Sequence, residues 1–567
     1  MKRTFGVILV TFITFTLILS ACGTPATPPP AATQPPAAPA TEAPPPPTAV
    51  VPPTAAPTEA PTVVPTVDKK GGRFVYIDTS GFYPLDPFVT PWFTYTQGFM
   101  YDSLVALALD YRSYVSNLAE SWEIAPDGLK VTFTLKSGIT FHDGTPCDAT
   151  AVKWNLDRYA LGTEAQIDNN WPDYIASVEA PDALTVVVNF KKSYAPFFSD
   201  LTLSYIISPT AFEKLGKDGF TNAPVGTGPF MPTEIIPNTH VLYVRNPDYN
   251  WGPAFVDNKG PMNFDEVEIK FVVDEPAAFA ALEAGEASAI GLSPSFLSKA
   301  KANDKIALQQ GQDNTVYYLG FNNKIWPFTD KDFRLAVNYA LNREEIIQAV
   351  LEGEAMANYS YLAPATWGFD ESLNKAAAAT FAYNPDKAKE LLAGLGYKDD
   401  NGDNVLEKDG KVLSLKVVVP VVDFWQRTAE IVQSQLAEVG IKMTIEQMEA
   451  SAIPDLLNKC SMEFFFRQYG LADPSILSVF YGPRVGAGNR NCWADAKTDE
   501  LFAVTDSTVD PVKRQEAVNT LVTYLSEVRP NAPLLSQYVY TAYNKNIQGL
   551  KFDMVAAFYL NDAYMTK

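Results

Sequence analysis

Residues 24–68 are almost wholly Pro, Ala, Thr and Val, and sixteen of the chain's 44 prolines fall there. Glu42 and Glu59 are the only acids in that stretch before Asp68. Such a segment buries too little apolar surface to offset the entropy lost on ordering, so it is expected to stay unfolded. Proline biases it toward extended polyproline II at ~3.1 Å per residue, a reach of roughly 100 Å. Any folded body must therefore begin after Asp68. About 500 residues remain from Lys69 onward, and single cores stop growing near ~250–300 residues, so at least two lobes are expected.

The residues before this stretch read as an address. Lys2 and Arg3 precede an apolar run from Phe5 to Leu19, which ends in Leu19-Ser20-Ala21-Cys22. A basic start, a short apolar segment and small residues before a cut form an export signal. The run is short for a membrane span, which needs ~20 residues. The ending resembles a lipobox, which implies that the Cys22 thiol is acylated and becomes the new N-terminus. Residues 1–22 are thus expected to be a lipoprotein signal, and 23–68 a tether. The body is expected outside the cytoplasm, fastened to the cell membrane by lipid.

Composition narrows what that body does. It is 47% hydrophobic overall with no second long apolar run, which suits a soluble globule. A net charge of −21 disfavours nucleic acid and anionic membrane surfaces as partners. Only His142 and His240 are present, which excludes a zinc site built on several histidines. His142 lies in Thr140-Phe141-His142-Asp143-Gly144, a strand ending in an Asp-Gly turn. No GxSxG, Walker A or HExxH motif occurs. Asp399, Asn401 and Asp403 have calcium-loop spacing, but Asn404 and Gly410 stand where the loop needs Gly and Glu, so a polar turn is expected. No catalytic residue, metal site or cofactor is read. Cys147, Cys460 and Cys492 permit one disulfide, for which Cys460 and Cys492 are the favoured pair, or three buried thiols.

Strand and helix signals alternate. Lys130–Leu135 and Leu184–Phe190 read as strands. Thr329 is a candidate cap for a helix with Phe333, Ala336, Val337 and Ala340 on one face. Asn342 with Glu345 caps a second helix, which runs to Gly353. Asn384-Pro385 opens a third, which ends at Gly396, and Trp425–Val439 forms a fourth, stopped by Gly440 before the strand Ile441, Met443, Ile445. Helix, glycine stop and apolar strand make the unit of a layered α/β body.

Five groups of residues, in order, carry a resemblance. They are Leu118-Ala119-Glu120-Ser121-Trp122 with Thr132 to Gly144; Pro224-Val225-Gly226-Thr227-Gly228-Pro229-Phe230 with Arg245-Asn246-Pro247; Phe321-Asn322-Asn323 with Asp332 to Arg343; Tyr383 to Lys389; and Gln435-Leu436 with Gly440-Ile441-Lys442 and Asp473-Pro474. Together they resemble the extracytoplasmic solute-binding proteins of ABC importers, in the group that carries peptides, nickel complexes and some oligosaccharides. The resemblance implies an α/β, two-lobed periplasmic-binding-protein-like class II fold. Lobe one would comprise 69–110, 225–310 and 537–567, an inserted domain 111–224, and lobe two 311–536, with two hinge strands joining the lobes. It also implies a monomer without catalysis that takes a small solute between its lobes and presents it to permease subunits.

Candidate ligand contacts are Trp92, Phe93 and Tyr95 from lobe one, with Asn322, Trp367, Trp425, Arg467, Tyr469, Asp473 and Trp493 from lobe two. Aromatic residues offer area with few rotors to freeze. Trp425 also begins the apolar face of its own helix. In peptide-binding relatives an aspartate, which pairs with the peptide's amino terminus, precedes the segment matching Asp473-Pro474; here that place is Gly470. Either Asp473 substitutes for it or the cargo is not an ordinary peptide. Peptide, oligosaccharide and, further off, a secreted hydrolase using a carboxylate pair remain open.

Overall fold

One long strand, Asn531–Asn544, is shared by both halves of the fold in a computed structural model that describes residues 71–90, 92–161 and 171–566. Cys22 and the proline-rich stretch lie outside the described residues. The start of the shared strand pairs antiparallel with Thr315–Phe321. Its later residues pair with Ile306–Gln312 on one side and Ala289–Leu292 on the other. Residues 306–321 therefore run beside it through both halves, interrupted at Asp313 and Asn314. These are the two crossing segments.

The sheet extends in both directions from that strand. In the second lobe it continues through Thr315–Phe321, Phe464–Gly470, Ser414–Pro420 and Lys442–Met448. In the first it continues through Ala289–Leu292, Arg73–Asp78, Glu266–Phe271, His240–Arg245 and Phe230–Ile236. A separate antiparallel sheet, ordered Ala119–Ile124, Lys130–Leu135, Thr185–Phe190, Ile175–Glu179, belongs to the inserted part. Its Val131, Phe133, Val186 and Val188 share one apolar core with Phe74, Val267 and Ile269 of the first-lobe sheet, so the insert is packed on rather than tethered.

The second-lobe sheet is covered on both faces, which is why Phe464, Phe465 and Phe466 are all buried. Leu319, Val417, Phe464 and Phe466 meet the helices Lys331–Ala340, Arg343–Leu351 and Asp423–Glu438. Val316, Tyr318, Phe465 and Tyr469 meet Ala496–Ser507 and Pro511–Val528. Lys130–Leu135 falls where alternation places it, and the expected strand Leu184–Phe190 begins one residue later, at Thr185. The first expected cap shifts by one residue: Asp330, not Thr329, accepts an N–H of its helix, because its carboxylate reaches Asp332 N. Asn342 and Asn384 cap as expected.

The motif residues hold backbone. Arg334 donates to the carbonyls of Phe328, Val528 and Arg529, and Arg343 to that of Pro533. Two buried guanidiniums thus fix the chain where it enters the shared strand. Gly226 and Gly228 serve close approach rather than an unusual φ: a Cβ on Gly226 would lie 2.1 Å from the Met100 carbonyl oxygen, and one on Gly228 2.4 Å from the Met100 carbonyl carbon. The buried Asp102 carboxylate accepts from Thr227 Oγ1 at 3.0 Å and Trp251 Nε1 at 3.2 Å, locking the same turn. His142 Nε2–H donates to the Gly228 carbonyl at 2.9 Å, and burial pushes its pKa down to about 4, so the ring is neutral. His142 is therefore a buried brace on this turn.

Replacing Gly226 by Ala should destabilise the fold by about 1–3 kcal/mol, the cost of forcing atoms into a filled site. An unchanged urea midpoint for Gly226→Ala would contradict the close approach.

Candidate functional site

A cleft of about 410 Å3 opens between the inserted domain and the second lobe, within the ~300–1,000 Å3 typical of small-ligand sites. Tyr159, Trp171, Tyr194 and Asp200 stand on the insert side. The other wall is the end of the strand Phe464–Gly470 and the loop beyond it, including Gln468, Tyr469, Gly470, Arg484 and Arg490.

On the insert side, Tyr194 Oη and Trp171 Nε1 donate to the Asp200 carboxylate at 2.8 and 2.9 Å. Burial raises that carboxyl to about 7. On the lobe-two side, Tyr469 is held by its hydroxyl, which donates to the Tyr361 carbonyl at 3.1 Å, and by its ring against Tyr318. Gly470 sits opposite Thr315 in register. A Cβ there would lie 2.6 Å from Thr315 Oγ1 and 2.8 Å from the Asn314 carbonyl oxygen. The crossing segment passes so close that this position admits no side chain, an aspartate included.

The loop carrying Arg484 and Arg490 is anchored on several sides. Asn489 is fully buried, donates to the carbonyls of Tyr481 and Trp493, and accepts the Trp493 N–H. Cys492 forms a disulfide with Cys460, while Cys147 is a buried free thiol. Beside the cleft, the insert and the second lobe touch directly. Arg112 donates to the carbonyls of Thr366 and Pro364, Ser193 Oγ to that of Ser507, and Ala195 N to that of Asp506. The Asp506 carboxyl lies in this contact, and burial, with Asp473 nearby, raises it to about 7.

Of the candidate contacts read from sequence, Tyr469 lines the cleft. Arg467 shares its strand face, two residues earlier. The others are not among the residues that line it. Asn322 is 1% exposed and donates to the carbonyls of Cys460 and Met462, bracing the disulfide. Trp425 is core, packed between Tyr317 and Phe466. Asp473 is fully buried in a bidentate pair with Arg514, at 2.7 and 2.8 Å, and also accepts Ser475 N–H. It is not a substitute for the aspartate missing at 470. Trp367 lies under the Arg514 guanidinium, and Trp493 Nε1 donates to Thr498 Oγ1. Trp92 and Phe93 are surface-exposed. Tyr95 stacks on Phe558 at 4.4 Å and accepts its N–H, beside a separate 50 Å3 cavity. Sequence reasoning missed Arg490, Arg484 and the insert-side aromatics; the aromatic density from Tyr194 to Phe198 was the available signal.

The model for "Bacterial extracellular solute-binding proteins, family 5 Middle" matches residues 113–490. The chain belongs to that family. Among relatives of this family 5 protein, the oligopeptide-binding protein AppA of Bacillus subtilis is 26% identical over 448 residues, covering 77% of this chain and 80% of AppA. The glutathione-binding protein GsiB of Escherichia coli K12 is 28% identical over 474 residues, covering 80% and 87%. The structure of NikA from Brucella suis in complex with Fe(III)-EDTA superposes with a TM-score of 0.75 at 24% identity, over 87% of this chain and all of that one. The fold is the two-lobed one of these binding proteins. Among the described residues no helix is long and apolar enough to cross a membrane.

Asp473→Asn would leave the Arg514 guanidinium buried without its counter-charge. The expected cost is about 3–5 kcal/mol, read as a lowered urea midpoint; a wild-type midpoint would show that the pair is not structural.

Proposed function

We propose that this family 5 protein is the receptor of an ABC importer, anchored by lipid at Cys22. It captures a peptide or related small solute in the cleft and delivers it to a membrane permease. The observation that carries the reading is that the two walls of the cleft belong to bodies between which the described chain crosses along two segments. A solute touching both walls favours the arrangement in which they meet, and hinge closure is then available as the signal a permease reads. The lipid keeps the receptor concentrated at the membrane where that partner sits. Relatives named as oligopeptide- and glutathione-binding proteins support peptide-like cargo.

A second reading, an oligosaccharide, is favoured by one observation. Gly470 has no side chain and Asp473 is consumed by Arg514, so the lobe-two wall lacks the carboxylate that would meet a peptide ammonium, while Tyr159, Trp171 and Tyr194 offer aromatic faces. The hydrolase reading gains nothing from relatives named as binding proteins.

A thermal-shift screen of short peptides against oligosaccharides separates these readings. A true ligand at 100 times its dissociation constant adds ~2.7 kcal/mol of stability. Peptides that stabilise the chain unchanged support the first reading, and sugars that do so support the second. Conversion of any of them to product would overturn the receptor function.

A further inference from the structure

Two arginines on the lobe-two side of the cleft have no side-chain partner among the described residues. Arg490 lines the cleft, and Arg467 stands on the strand face of Tyr469, opposite Tyr318. The Nε atoms of both are buried without a hydrogen-bond partner, and neither guanidinium forms an ion pair or hydrogen bond with the other described residues. Burial first, and the positive charge of Arg490 second, hold the Arg467 guanidinium below its ordinary value. The same two charges act on the buried Tyr318 hydroxyl. Three other buried arginines of this lobe each hold a partner, Arg514 the Asp473 carboxylate, Arg343 the Pro533 carbonyl and Arg529 the Tyr359 carbonyl, although Arg529 keeps Nε and one Nη unpaired. The acid across the cleft, Asp200, is already engaged by Tyr194 and Trp171.

The pair is also held in place. Arg490 lies between Asn489, whose side chain ties the loop to Tyr481 and Trp493, and Asn491, whose carbonyl accepts from both Asn323 N and Nδ2. The disulfide follows at Cys492. Partly desolvated like charges without a counter-ion are unfavourable, and a guanidinium's strongest partner is a carboxylate or phosphate, met by two parallel N–H donors.

We propose that Arg467 and Arg490 together receive an anionic group of the cargo, a carboxylate or a phosphate, so that the cleft selects solutes by negative charge where a carboxylate would have selected an ammonium. The inference rests on the cleft being the cargo site. It fits a peptide held by its carboxylate end as well as an acidic non-peptide solute.

The test compares matched probes by calorimetric titration of the full chain: N-acetyl-tetraalanine against its C-terminal amide, and glucose 6-phosphate against glucose. The anionic member of at least one pair is expected to bind at least about tenfold more tightly, and the pair that responds tells carboxylate from phosphate. Arg467→Gln and Arg490→Gln should each weaken that probe about tenfold or more, while raising the thermal midpoint of the ligand-free chain by relieving like-charge repulsion. Variants that lower the midpoint would show that the arginines hold the fold, which overturns the proposal. Neutral probes that bind as well as anionic ones overturn it too, yet leave the cleft as the cargo site. Should no probe of either charge bind, both the anion subsite and the cleft reading fall.

Discussion

Backbone pairing along Asn531–Asn544 is the constraint on which the rest of this molecule depends. The strand is bonded into the second lobe at one end and the first lobe at the other, so both lobes share one ladder of hydrogen bonds. Its entry is fixed by Arg334 and Arg343, whose guanidiniums take up carbonyls from Val528 to Pro533. The pairing is irregular at the crossing, although Ala355–Ala357 also pairs with Leu535–Gln537 and Asp313 N donates to the Gln537 carbonyl. Register shifts between Tyr317 and Tyr318, Pro533 contributes no N–H, and Asp313 and Asn314 belong to neither flanking strand. The change of partner strand at Asp313 and Asn314, from Ile306–Gln312 to Thr315–Phe321, makes it the place where the two lobes can bend against each other.

That same crossing shapes the cleft. Because Asn314 and Thr315 press against Gly470, the wall at this point is bare backbone, flanked by Tyr469 on the strand and by Arg484 and Arg490 on the loop beyond it. The Cys460–Cys492 bridge closes a loop with a sequence separation of 32. Loop-closure entropy makes such a bridge worth about 3–4 kcal/mol against the unfolded chain, and it holds the Arg490 loop beside the strand end. Like charges held without a counter-charge cost local stability, and such costs are concentrated where function needs a poised group.

Much of the fold was legible because local signals agree with it. Asn342 and Asn384 cap helices by the side-chain bonds their spacing implies. The alternation in Lys130–Leu135 reports a sheet with one buried face, and five short motifs carry the family resemblance. The site was far less legible. Exposure does not follow from residue type: Trp425 and Asn322 look like contacts in sequence and are core in space. Asp473 reads as a free carboxylate until Arg514, 41 residues later, is seen to take both its oxygens. Arg490 gave no signal because its meaning depends on neighbours brought to it by a disulfide and a strand register, both long-range facts. Gly226 and Gly470 read as turn or absence, whereas each marks a place where another segment of backbone comes within van der Waals distance.

Closure of the inserted domain and the second lobe on a solute, about the shared strand, is open to direct measurement. Spin labels on Lys192 of the insert and Lys497 of the second lobe, both exposed, report this separation by double electron–electron resonance. The expected result is a broad or longer distance distribution in the free chain, which shortens and narrows when a stabilising solute is added. A single sharp distance, identical with and without such a solute, would contradict hinge closure.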